Sequence, residues 1–216
     1  MKNIVKATKL DFALMKGYIL PLCIGIALPI LFALEGSTLI TCISLAMGVT
    51  AMGLHYTFTV AEKKDMSRMY GVIPITKRDL VLGKYLYVLI VGIIVLVISL
   101  IAQPIAFSLV GNIIKANDIF IAAFSGITIY SILVSVQLPG FYKLGSINGK
   151  MFTILPFAVV IIGNGIIKRS GFDFNTVLQF INANQLLTAI MAIVFVVLLL
   201  TVSIIISIQI LKRKEL

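Results

Sequence analysis

Apolar residues occur along the chain in long unbroken runs, and these runs predict its secondary structure. A run of about 17–25 apolar residues is long enough to cross the hydrocarbon core of a bilayer as a helix. Six spans are predicted: Tyr18–Leu34, Thr38–Val60, Tyr85–Val110, Ile119–Leu138, Met151–Ile167 and Leu186–Leu211. Strands of a membrane β-barrel would alternate polar and apolar residues, whereas these runs are apolar on every face. The pattern therefore predicts an all-α integral membrane protein with six transmembrane helices, forming a single domain over residues 1–216.

Composition and charge agree with that class. The chain is 60% hydrophobic and 12% charged, whereas a soluble domain carries roughly 25% charged residues. All eighteen Lys and Arg and all eight Asp and Glu lie outside the predicted spans. A charge at the centre of a membrane helix costs roughly 2.5–3.5 kcal/mol, which explains this exclusion.

The net charge of +10 is distributed unevenly between the two sides of the predicted bundle. One side carries only three basic residues: Lys115, Lys168 and Arg169. The other side holds fifteen: Lys2, Lys6, Lys9, Lys16, Lys63, Lys64, Arg68, Lys77, Arg78, Lys84, Lys143, Lys150, Lys212, Arg213 and Lys214. Under the positive-inside rule this bias predicts cytoplasmic N- and C-termini. It also attributes the basic charge to membrane topology, so no nucleic-acid partner is expected.

Residues 1–16 are predicted to form a helix at the membrane interface, because their basic and apolar residues separate at 100° per residue. The basic face holds Lys2, Lys6, Lys9 and Lys16, and the apolar face holds Ile4, Leu10, Leu14 and Met15. Asp11 lies among the apolar residues. It either reaches out to the interface, pairs with a nearby lysine, or forms a salt bridge to a basic cytoplasmic loop.

The first inner loop, residues 61–84, is the longest hydrophilic stretch of the chain. Gly71 and Pro74 divide it into two pieces. After this break, Thr76 is expected to cap a new helix with Asp79 three residues later, and that helix runs on into the third span. The second inner loop, Pro139–Lys150, is short and rich in glycine.

The outer side is predicted to carry only short connections, apart from residues 163–185. The fifth span ends in Gly163, Asn164 and Gly165, and an apolar rhythm continues beyond them. Residues 163–185 are therefore predicted to rest in the outer leaflet or re-enter it, since non-helical backbone at membrane depth needs cover from protein or water. This segment is the candidate outer gate.

No catalytic, metal or cofactor site is expected in the chain itself. Within the spans His55 is the only candidate titratable group for catalysis, and a lone His near the membrane surface is more often a hydrogen-bonded interfacial residue than a ligand or proton relay. The absence of acidic or basic residues inside the spans disfavours a proton-coupled carrier. Gly145–Met151 resembles a phosphate-binding loop only superficially, because its spacing is short and Met151 replaces the required hydroxyl. Cys23 and Cys42 are expected to be packing residues.

One group of motifs resembles a known family, the small permease subunits of type-2 ATP-binding-cassette exporters. The matching residues are Glu62-Lys63-Lys64-Asp65, Gly71-Val-Ile-Pro74-Ile-Thr-Lys77-Arg78, Leu80-Val81, Gly83-Lys84-Tyr85 and, near the N-terminus, Lys9-Leu10-Asp11-Phe12. Within that family the chain looks most similar to the permeases of phenol-soluble-modulin and related peptide exporters. The resemblance implies a multi-pass protein of a bacterial plasma membrane.

The resemblance further implies that residues 61–84 contain the coupling helix, which inserts into a cleft of a separate ATPase subunit. The coupling residues would be Glu62, Asp65, Met66, Met69, Tyr70 and Pro74. It implies a second permease copy or a homologous permease as another partner, and ATP with magnesium bound only in the ATPase. The expected function is export of amphipathic peptides or other amphiphiles.

Two other classes remain open from the residues alone. A substrate-binding module, similar to the vitamin-binding subunit of an importer, would also have six helices and about this length. It should show a convergent polar or aromatic pocket, yet the chain has no Trp and few polar residues in its spans. The third class is an immunity or regulatory membrane protein that transports nothing.

Overall fold

The computed structural model is almost entirely helical in the part of the chain that it describes, and no strand occurs there. The described residues are 2–15, 27, 29–34, 38–63, 76–111, 114, 116–149, 151–154 and 185–213. Six helices are named here in chain order: α1 Lys2–Met15, α2 Leu39–Gly53, α3 His55–Lys63, α4 Lys77–Leu109, α5 Ala116–Gly149 and α6 Gln185–Arg213. The prediction of an all-α protein is therefore confirmed for these residues.

Four stretches among the described residues are long and apolar enough to cross a membrane. They are Leu39–Lys63, Lys77–Leu109, Asp118–Gly149 and Leu187–Arg213. These correspond to the predicted second, third, fourth and sixth spans. Most of the predicted first span, Tyr18–Leu34, and fifth span, Met151–Ile167, lies outside the described residues, so the count of six stays a prediction.

Helix α4 begins where the capping pattern predicted. Thr76 has an extended backbone, and its hydroxyl accepts a hydrogen bond from the Asp79 N–H at 3.1 Å. The helix then continues for 33 residues. At 1.5 Å per residue it is about 50 Å long, which exceeds the roughly 30 Å hydrocarbon core. The prediction that the inner loop's second helix runs directly into the third span is confirmed.

Helix α5 corrects the prediction of a loop at Pro139–Lys150. The chain stays helical through Pro139 as far as Gly149, and the helix is interrupted only at Gly145, with φ 78° and ψ −173°. A positive φ strains any residue with a Cβ, so a glycine here permits a sharp kink within one residue. The glycine-rich composition marked this kink, whereas the helix around it depends on tertiary contacts described below.

The core lies mainly between α2, α4 and α5. Ala122 is fully buried, and a Cβ on Gly126 would lie 2.9 Å from the Ile43 side chain of α2. The small residues of the fourth span therefore serve packing inside the bundle. On α4, Gly92 leaves room for the ring of Tyr130, whose hydroxyl donates to the Val88 carbonyl at 2.7 Å.

Helix α6 contacts the rest of the described bundle along one narrow stripe. Ser203, Ser207 and Leu211 are buried, whereas most of its apolar side chains are exposed. Only 6% of its most apolar window is buried, compared with 39–50% for the other three candidate spans. Its outward face is therefore suited to contact acyl chains or other membrane helices.

Candidate functional site

The predicted coupling and gate residues are only partly within the described residues. Glu62 lies in the last turn of α3. The other predicted site residues lie outside the described residues: Asp65, Met66, Met69, Tyr70 and Pro74 of the coupling loop, and Gly163, Asn164 and Gly165 of the outer gate. Their roles stay predictions, and the geometry below concerns the helices on either side of the coupling loop.

These helices meet at one end of the bundle, which we call the basic end. It comprises α1, the last turns of α3, the first turns of α4 and the last turns of α5 and α6. Several basic residues that the sequence assigned to one side of the membrane lie on these turns, among them Lys63, Lys84, Lys143 and Arg213.

Glu62 connects the end of α3 to the kink in α5. The Ser146 N–H donates to Glu62 Oε1 at 2.7 Å, and the Ser146 hydroxyl donates to Glu62 Oε2. A Cβ on Gly145 would lie 2.8 Å from Glu62 Oε1, so a larger residue here would displace the carboxylate from Ser146 in addition to straining the positive φ. The carboxylate thus caps the helical turn that restarts after Gly145, where a negative charge is favourable.

Helix α1 is fastened to α4 by a buried ion pair. Lys84 Nζ lies 2.5 Å from Asp11 Oδ1, and the two side chains are only 8% and 5% exposed. Lys84 Nζ also lies 5.0 Å from the centre of the Phe58 ring, within the range of a cation–π contact. Of the three interpretations of Asp11, the structure matches the salt bridge to the basic inner loop, because Lys84 is the last residue of the loop predicted at 61–84. It lies in the helix that was predicted to begin after Thr76.

Close backbone approach strengthens this contact. The Thr8 hydroxyl lies 3.1 Å from the Gly83 carbonyl and 3.0 Å from the carbonyl of Ile4, so its one proton is shared between them. A Cβ on Gly83 would lie 2.6 Å from the Cβ of Ala7. The predicted helix at residues 1–16 is therefore present as Lys2–Met15. Its packed face combines Asp11, Leu14 and Met15, which the amphipathic pattern placed together, with Ala7 and Thr8, which that pattern did not include.

Aromatic rings fill the space between these polar contacts. Phe58 of α3 stacks on Phe141 at a centroid distance of 5.0 Å and meets Tyr142 edge-on at 5.3 Å. Phe12 of α1 meets Tyr87 of α4 edge-on at 4.8 Å. Such pairs contribute about 0.5–1.5 kcal/mol each beyond their buried area. Helices α1, α3, α4 and α5 are thus held together at the basic end.

A chain of hydroxyl groups joins α4, α5 and α6 slightly deeper in the bundle. The Ser203 hydroxyl donates to the Ser135 carbonyl at 2.7 Å, and the Tyr85 hydroxyl lies 2.6 Å from Ser203 Oγ and 2.9 Å from Ser207 Oγ. Because the single proton of Ser203 goes to a carbonyl, Tyr85 must donate to Ser203, and Ser207 must then donate to Tyr85. Ser207 thus donates to Tyr85, Tyr85 donates to Ser203, and Ser203 donates to the carbonyl of Ser135.

Pro139 explains why that carbonyl is available. In a regular helix the Ser135 carbonyl would accept the N–H of residue 139, but proline has none. Ser203 of α6 supplies the missing hydrogen bond. The proline therefore serves as a docking point for the neighbouring helix, and it does not end α5. Sequence reasoning noted Lys84-Tyr85 as part of a motif but gave no sign of these partners.

Several other polar groups of the spans are buried or half-buried. His55 Nδ1 lies 2.8 Å from the Met52 carbonyl, beside the ring of Tyr56. This local hydrogen bond fits the interfacial interpretation of His55. Gln103 Nε2 donates to the carbonyl of Cys42 at 3.3 Å, whereas Gln137, fully buried, has no partner among the described residues for its side-chain oxygen or nitrogen. Among the described residues no group of His, Cys, Asp and Glu is arranged to hold a metal.

Comparison with known proteins gives one match. A family described as ABC-2 family transporter protein matches residues 8–212. No curated protein and no solved structure matches the chain significantly.

Proposed function

Because the chain belongs to the ABC-2 family of transporter proteins, we propose that it is the permease of an exporter that moves amphipathic peptides or other amphiphiles outward. Family membership makes it a membrane-embedded permease component of an ABC transporter, associated with an ATP-binding-cassette subunit. In the proposal, ATP is hydrolysed only in that separate subunit, two permease copies assemble with two ATPases, and the basic end faces the cytoplasm of a bacterium.

The observation that carries the proposal is the anchoring of both ends of the coupling loop. Residues 64–75 connect α3 to α4, and each of these helices is tied to another part of the basic end. Glu62, two residues before this connecting segment, caps the kinked turn of α5, and Lys84, in the first turns of α4, binds Asp11 of α1. A displacement of the loop by an ATPase would therefore be passed on to α1 and α5 together.

The substrate class is inferred from the character of the spans. The described spans carry charges only near the ends of their helices, and their polar groups are mostly paired within the bundle, as in the hydroxyl chain of Tyr85 and Ser203. A cavity between two such permeases would offer few donors or acceptors for a small polar solute. It would suit the apolar face of an amphiphile entering from the inner leaflet, with Gly163, Asn164 and Gly165 at the outer gate.

Reconstitution of the chain with its ATPase in lipid vesicles tests this proposal. Amphipathic helical peptides should stimulate ATP hydrolysis and accumulate on the side opposite the ATPase, whereas sugars and small ions should not. The control is the ATPase alone with the same peptides. Stimulation only by sugars or small ions would contradict the proposed substrate, and a complex without any stimulated ATPase would favour a non-transporting protein.

The role of Glu62 in coupling is tested separately from its role as a cap. Glu62→Gln keeps an oxygen to accept the Ser146 N–H, whereas Glu62→Ala removes it. If the charge itself binds the ATPase, both variants should weaken assembly. If only the cap matters, Glu62→Gln should behave like the wild type. Tyr70→Ala is expected to weaken assembly while membrane insertion persists.

A further inference from the structure

A groove opens between the ends of α5 and α6 at the basic end. Its volume is about 590 Å³. It is lined by Val136, Pro139, Gly140, Lys143, Phe152, Ile206, Ile210 and Arg213. Six of these residues are apolar or glycine, and the two others are cations.

The lining residues are arranged by depth. On α5, Val136, Gly140 and Lys143 follow one another at helical spacing, and Ile206, Ile210 and Arg213 do the same on α6. Ser203 donates to the Ser135 carbonyl, and beyond this contact the groove is lined by residues 136–143 of α5 and 206–213 of α6. Each helix therefore contributes an apolar wall followed by one cation nearer its C-terminal end. From residue 136 to residue 143 the wall is about 10 Å deep at 1.5 Å per residue.

Glycine and aromatic packing shape the floor. A Cβ on Gly140 would lie 2.4 Å from the Phe152 ring, so the ring lies directly on the backbone of α5. Phe152 is half-buried, and Ile206 is 42% exposed. The apolar part of the groove is thus preformed and open to an entering group.

The two cations lack acidic partners among the described residues. Asp11 is bound to Lys84, and Glu62 accepts its hydrogen bonds from Ser146. No described carboxylate forms an ion pair with Lys143 or Arg213, and both side chains are exposed. Two cations without an acidic partner among the described residues, above an apolar wall, complement a ligand that joins an anionic head to a hydrocarbon tail.

We propose that this groove binds one anionic phospholipid, with its phosphate between Lys143 and Arg213 and the start of an acyl chain along the apolar wall. An acyl chain can continue beyond the groove, because the apolar wall passes directly into the exposed apolar face of α6. The proposed orientation places the basic end at the cytoplasmic leaflet, where anionic lipids attract Lys and Arg. The bound lipid wedges between α5 and α6 beside the Ser135–Ser203 hydrogen bond.

Native mass spectrometry of the full chain in detergent tests the site, with phosphatidylglycerol and phosphatidylcholine added separately. The wild type should bind one phosphatidylglycerol more tightly than phosphatidylcholine. Lys143→Gln with Arg213→Gln should weaken phosphatidylglycerol binding by roughly thirtyfold, at about fivefold per basic residue. The matched control, Lys9→Gln with Lys212→Gln, removes the same charge from exposed residues outside the groove and should bind like the wild type.

A second variant tests the apolar wall without changing charge. Ile206→Trp should fill the groove and lower phosphatidylglycerol affinity severalfold. Equal losses in the groove and control pairs would overturn the proposal, because they indicate diffuse attraction. Equal binding of phosphatidylcholine, or displacement of the lipid by glycerol phosphate at equal concentration, would also overturn it. So would lipid binding to monomers but not to dimers, since the groove would then be a subunit interface.

Discussion

Substitutions in the ion pair between Asp11 and Lys84 give a quantitative test of what holds α1 against α4. Replacing either partner leaves the other charge buried without compensation, which typically costs about 3–5 kcal/mol. Replacing both with apolar residues of similar size is often close to neutral. We therefore expect Asp11→Leu and Lys84→Met each to destabilise the protein strongly, and the double variant to recover most of the loss.

The surroundings predict which single change is worse. After Asp11→Leu, Lys84 keeps its contact with the Phe58 ring, 5.0 Å away, which contributes roughly 0.5–2 kcal/mol. After Lys84→Met, Asp11 has no cation left within salt-bridge distance among the described residues, and its side chain is 5% exposed. Lys84→Met should therefore cost more than Asp11→Leu by about 1 kcal/mol, in line with the ring contact that only Lys84 makes.

Thermal unfolding in detergent and hydrogen exchange measure these effects. For a chain of this size each kcal/mol lowers the midpoint by roughly 2–4 °C. Faster exchange confined to residues 2–15 in both single variants would show that α1 detaches. Lys9→Met, at an exposed position of α1, is the matched control. Single variants with wild-type midpoints and unchanged exchange would refute the reasoning, and so would a double variant that loses the sum of the two.

Three further outcomes are expected. Ser203→Ala should lower the free energy of unfolding by about 1–3 kcal/mol, and Tyr85→Phe by about 0.5–1.5 kcal/mol. The first variant costs more because the loss of the Ser203 hydroxyl leaves the Ser135 carbonyl unpaired, whereas Tyr85→Phe does not. Equal midpoints of the two variants in thermal unfolding would contradict the order of donation. Glu62→Ala with Asp65→Ala should weaken co-purification with the ATPase while membrane insertion persists, and unchanged assembly and export would mean that the loop is only a connector. The purified chain should bind no ATP, and saturable nucleotide binding in an equilibrium dialysis assay would contradict this.

Local features of the sequence accounted for the helices and their starts. The apolar runs located the four described spans, because the cost of unpaired backbone groups in lipid permits little but helices there. Thr76 and Asp79 located the start of α4, because a cap satisfies N–H groups within four residues of itself. The loop motif that resembled the family's permeases led to the class that the family match supports. Each of these depends on interactions between near neighbours in the chain or between the chain and lipid.

The contacts that assemble the basic end were decided by tertiary structure alone. Asp11 and Lys84 are 73 residues apart, and Ser135 and Ser203 are 68 residues apart. The composition of residues 139–150 predicted a loop, since proline and glycine weaken an isolated helix. In the folded protein, Ser203 replaces the hydrogen bond that Pro139 cannot make, and Glu62 caps the turn after Gly145. The helix persists because distant side chains satisfy the backbone groups that its own sequence leaves free.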